Sequence, residues 1–165
     1  MSKYRRMWIA AATAAMAVSA QTAYAAPTKT AEAKMLARGK YIARIAGCND
    51  CHTPGYAASG GKVPEAQWLV GDQVGWRGPW GTTYPSNLRL YMQSVSESQW
   101  VKIAHSAQFR PPMPWFALRD MHTQDLRALY RFIKSLGPAG EAAPAFVPPG
   151  QEPKGPVIAF PAPPK

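Results

Sequence analysis

The chain has 165 residues and a formal net charge of +10, from 19 Lys and Arg against 9 Asp and Glu. That length suits one domain with a modest core plus a tail and leaves little room for a second domain. The basic residues are scattered rather than clustered, which argues against a nucleic-acid partner and for solubility or an acidic protein partner.

Lys3, Arg5 and Arg6 precede an apolar run from Met7 to Ala20, followed by Ala23-Tyr24-Ala25. A charged start, an apolar stretch and small residues around a cleavage point are the layout of a secretory signal peptide. Residues 1–25 are therefore expected to be removed after Ala25, placing the mature chain in the periplasm with a charge of +7. An uncleaved membrane anchor is the competing reading, because Met7 to Ala26 is just long enough to span a bilayer. Gln21, Thr22 and the weakly apolar alanines favour the signal peptide.

A first helix is expected from Thr30, as N-cap, to Ala46, with Met35, Ile42, Ile45 and Ala46 available for burial. Gly47 ends it. The only two cysteines follow at once, in Cys48-Asn49-Asp50-Cys51-His52. C-x-x-C-H is the attachment sequence for a c-type haem. Two thiols three positions apart reach the two vinyl groups on one porphyrin edge, and the adjacent imidazole reaches iron. A disulfide or thioredoxin-like redox pair lacks the expected βαβ context here, and zinc would need further ligands.

Residues 53–95 are rich in glycine and punctuated by Trp68, Trp76, Trp80 and Tyr84. Such a stretch cannot build its own core, but it can wrap a large flat apolar ligand. No G-x-G-x-x-G in a strand–turn–helix context supports a nucleotide site. A short second helix is expected from about Ser96 to Ala107, opened by Ser96 with Gln99 or Ser94 with Glu97, with Trp100, Val101 and Ala104 on one face.

A second iron ligand is then sought among Met92, Met113, Met121, His105 and His122. Met113 lies in Arg110-Pro111-Pro112-Met113-Pro114-Trp115, where three prolines stiffen an extended loop able to hold a thioether in place. Met35, Met92 and Met121 lie in or near helices and read as packing residues, and the two histidines as surface residues. The last helix is the most regular. Thr123 caps it, Asp125 complements its dipole, and Leu126, Leu129, Tyr130, Ile133 and Leu136 repeat at helical spacing. Gly137-Pro138 stops it.

Residues 138–165 hold nine prolines and little periodicity. They are expected to be extended or disordered, either solvated or strapped through Phe146-Val147 and Val157-Ile158-Ala159-Phe160 onto the domain or a partner.

Three helices, C-x-x-C-H straight after the first and a Pro-flanked methionine before the last resemble class I cytochrome c, over residues 30–137. Gly81-Thr82-Thr83-Tyr84-Pro85-Ser86-Asn87-Leu88, Trp100 and the loop around Met113 are similar to cytochrome domains that serve periplasmic molybdenum, flavin or quinone dehydrogenases. Arg89-Leu90-Tyr91 departs from the Thr-Pro-Asp usual there. The resemblance implies an all-α fold of three or more helices in residues 26–137, around one covalent haem c whose iron is held by His52 and Met113. It also implies Gly39 and Tyr41 at the crossing of first and last helices, and an electron carrier rather than an enzyme. Its partners would be a donor dehydrogenase and an acceptor cytochrome or oxidase. The alternative is a peroxidase-like haem enzyme or ligand sensor with an open distal site.

Overall fold

In the computed structural model, residues 28–160 are described; the expected signal segment lies outside them. Helix α1 spans Lys29–Ile45, α2 Cys48–His52, α3 Leu88–Ser94, α4 Glu97–Ser106, α5 Trp115–Arg119 and α6 Thr123–Ser135. Three short strands, β1 Gly75–Gly78, β2 Gly81–Thr83 and β3 Val157–Ala159, form one sheet in the order β2-β1-β3. The described domain is thus helix-rich but not all-α, and the expected class is corrected by this sheet. The reason lies in its contributors: a hairpin framed by Gly75, Gly78 and Gly81, and a stretch of the tail with the β-branched Val157 and Ile158.

The most extensive helix contact is α1 against α6. It forms because Gly39 has no side chain: a Cβ there would lie 2.0 Å from the Ala128 carbonyl oxygen. Glycine lets the two backbones touch, and Ile42, Ala43, Leu129, Phe132 and Ile133 close the core around the crossing. Tyr41, expected at the same crossing, is instead 51% exposed. Arg131 on α6 donates to Glu32 on α1 and to Glu97 on α4, tying three helices at one point.

Helix ends follow their chemistry with small offsets. Thr28 rather than Thr30 caps α1, accepting from the Ala31 N–H. Ile45, expected to pack, is 63% exposed. Ser96 and Gln99 make the expected capping box of α4. At α6 the N-cap is His122 without a side-chain bond, because the Thr123 hydroxyl meets His105 Nε2 instead.

Among the described residues, the tail takes the strap rather than the solvated form as far as Phe160. Val147 exchanges two backbone hydrogen bonds with Thr82, and β3 pairs in parallel with β1. Gly81 makes room for this, since a Cβ there would lie 2.3 Å from the Val147 carbonyl oxygen. Phe160 packs between Trp76 and Trp80, and Arg77 grips Glu152 with two charge-assisted hydrogen bonds of 2.6 Å. Among the described residues, no helix is long and apolar enough to cross a membrane.

Candidate functional site

A predominantly apolar cavity of about 340 Å³ opens between α2, the β hairpin, α3 and the segment leading into α6. Its wall brings together Cys48, Cys51, His52 and Met113, which are as far as 65 positions apart in the chain. Leu88, Trp100, Phe109, Leu118, Leu129 and Ile133 are among the apolar side chains of the remaining lining.

One side of the cavity is built by α2. Gly47 turns the chain in a left-handed conformation, φ 71°, so that a new helix begins straight after α1. Three residues later along that helix, Cys51 returns to the face of Cys48. The thiols are free rather than joined as a disulfide. Burial pushes the Cys48 thiol up to about 11, and burial with Asp50 raises that of Cys51. Both are therefore protonated at neutral pH, as thiols rather than thiolate nucleophiles.

His52 is 8% exposed, and its Nδ1 lies 2.7 Å from the Ser86 carbonyl oxygen. A carbonyl only accepts, so Nδ1 carries the proton and Nε2 is left with its lone pair. Burial lowers the imidazole's pKa, which keeps the ring neutral and available as a donor to a metal.

Another part of the wall carries the loop of Met113. That residue is half-buried, in a turn closed by its N–H on the Arg110 carbonyl and by Trp115 N–H on its own carbonyl. Met92 and Met121, read from sequence as packing residues, also line the cavity; Met92 is fully buried on α3. His105 and His122 do not line it. His105 is occupied by the Arg119 carbonyl and Thr123.

Two polar features of the wall were given no binding role from sequence. The Thr83 hydroxyl is buried without a hydrogen-bond partner, and Arg110 lines the cavity with its guanidinium over the Phe146 ring, 4.1 Å from the centroid. Alternation along β2, with Trp76 opposite Thr83, is the signal that puts this residue on the cavity side. Among the described residues, no cluster of three or more His, Cys, Asp or Glu forms a metal site of the zinc kind.

A largely apolar cavity with one neutral imidazole, two thiols and thioethers on its wall is the candidate site. No family model matches the chain and no solved structure does. One of the subunits of nicotinate dehydrogenase from Pseudomonas putida is 30% identical to it over 124 residues, which cover 68% of this chain. The chain spans only 10% of that relative's length. Its similarity is thus to a segment of a dehydrogenase component.

Proposed function

We propose that the protein is an exported electron carrier for one haem c, which Cys48 and Cys51 would bond covalently and whose iron His52 Nε2 and Met113 would hold. The observation that carries this reading is the convergence of those four side chains on one apolar cavity. The residues suit the group chemically. Thiols three apart on α2 match two vinyl positions, and the bare His52 nitrogen matches iron. The unpartnered Thr83 hydroxyl and the Arg110 guanidinium are donors that haem carboxylates require.

When bound, haem supplies a one-electron couple, and the chain sets its potential. Met113 favours the reduced state, and the surrounding apolar residues exclude water and favour it further. The Ser86 carbonyl fixes the imidazole's orientation and holds the proton on Nδ1. No general acid–base pair is needed for such a role. The similarity to a dehydrogenase segment supports a dehydrogenase as donor, with a respiratory cytochrome or oxidase as acceptor. Export follows from residues 1–25, so the mature chain begins at Ala26 in the periplasm.

The test is expression in a host that matures c-type cytochromes. The product carries haem that survives denaturation, and Cys48→Ala with Cys51→Ala abolishes it. Met113→Ala keeps covalent haem, removes the weak sulfur-to-iron band at the red end of the oxidised spectrum and lowers the potential. Met92→Ala and Met121→Ala leave that band in place. Free thiols without haem absorbance would sink the reading.

A further inference from the structure

The cavity wall is anchored at a place no C-x-x-C-H motif describes. Immediately after the carbonyl that holds His52, Asn87 and Arg89 are buried, at 4% and 6% exposure, and both side chains reach for the same partner: the chain just beyond α6. Asn87 Nδ2 donates to the carbonyls of Ala139, at 2.8 Å, and Glu141, at 3.0 Å. Its Oδ1 meanwhile caps α3 through the Leu90 N–H. Arg89 donates to the carbonyls of Leu136, Gly137 and Ala66 and has no carboxylate partner.

Such a buried guanidinium is costly unless its donors are satisfied, and three main-chain carbonyls do this. The end of α6 thereby gains donors for two otherwise orphaned carbonyls. The other side of the segment is equally fixed. Leu88 and Arg89 N–H groups share the Leu69 carbonyl, and Gly71 lies so close that a Cβ would sit 2.8 Å from the Asn87 nitrogen and 3.0 Å from the Ser86 carbonyl carbon. Ser86 itself is exposed and has no side-chain hydrogen bond holding it. Its carbonyl keeps its aim because its neighbours are held.

We propose that Asn87 and Arg89 are positioning residues: a clasp on the chain after α6 that holds the Ser86 carbonyl against His52 Nδ1, coupling the post-helical segment to the strength of the proximal imidazole as a ligand. This rests on the haem reading above. A firmly held Nδ1–H···O bond makes the imidazole a stronger donor and favours oxidised iron, so loosening the clasp raises the reduction potential.

Two variants open it without touching the cavity lining. Asn87→Ser keeps a hydroxyl to cap α3 but is too short to reach Ala139 and Glu141. Gly140→Val acts from the far side, where φ is +69° and a Cβ would lie 3.2 Å from Asn87 Nδ2. In the reduced, haem-loaded protein, nitrogen-edited NMR reads solvent exchange of the His52 Nδ1 proton. Losing one hydrogen bond's worth of restraint corresponds to roughly tenfold faster exchange. Both variants are expected to show that increase and a raised potential, with the sulfur-to-iron band retained. Covalent haem with unchanged exchange, or with an unchanged or lowered potential, overturns the clasp and leaves the carrier reading standing. Absence of covalent haem in the unaltered protein overturns both.

Discussion

Gly39→Ala tests whether the helix crossing, rather than the cavity lining alone, sets the shape of the site. The added methyl would meet the Ala128 carbonyl oxygen at 2.0 Å, and the Ala128 carbonyl carbon and Phe132 Cβ at 2.6 Å. Ordinary contacts are more than an ångström longer, and the obstruction is helix backbone that no rotamer change relieves. The helices must therefore separate by about 1 Å, which in a close-packed interior costs about 3 kcal/mol, the upper end for overpacking. Alanine returns about 1 kcal/mol of helix propensity. The net loss is about 2 kcal/mol, or a fall in Tm of roughly 6–10 °C. Because α6 also carries Leu129 and Ile133 into the cavity wall, displacement should widen the cavity and admit water. Urea titration measures the loss. A variant as stable as the parent or more so, as expected of an exposed helical glycine, would refute the packing argument.

Arg38 holds Asp125 through two hydrogen bonds and depresses its carboxyl pKa from the ordinary 3.8. A depressed folded-state pKa contributes stability present above the ordinary value and lost as pH falls through the lowered one. D125N should therefore be less stable than the parent at neutral pH, by a small, salt-sensitive margin because Arg38 is half exposed, with the two converging below about pH 4 in thermal melts. Ending the chain after Glu141 removes the strap but keeps the clasp's acceptors. Amide exchange at Thr82 and Gly75, whose N–H groups donate to Val147 and Pro156, should accelerate while α1 and α6 stay protected. Protected hairpin amides in the shortened chain would show that the strap contributes nothing to the sheet.

What could be read along the chain was what repeats or binds locally. Leu126, Leu129 and Ile133 recur at helical spacing, so α6 is visible within its own 13 residues. Ser96 and Gln99 bond each other three positions apart, so the start of α4 is visible too. The C-x-x-C-H motif is contiguous for the same reason. What could not be read depends on partners far away. Phe146-Val147 reads as a strap candidate, but nothing along the chain names Thr82 as the partner that Val147 meets. Asn87 lies in a stretch that reads only as loop, and nothing near it signals that it caps α3 or that its amide also serves Ala139 and Glu141. Met113 stands between these cases, since its prolines mark a stiff loop but nothing along the chain says that Met92 and Met121 line the same cavity. The division has a physical consequence. The contiguous motif supplies the reactive groups of the site, whereas the carbonyl that orients His52 and the sheet closing one wall depend on contacts across 50 or more positions. On the proposed haem reading, variants within the motif should therefore abolish covalent haem, and variants in the post-helical segment should shift its potential without abolishing attachment.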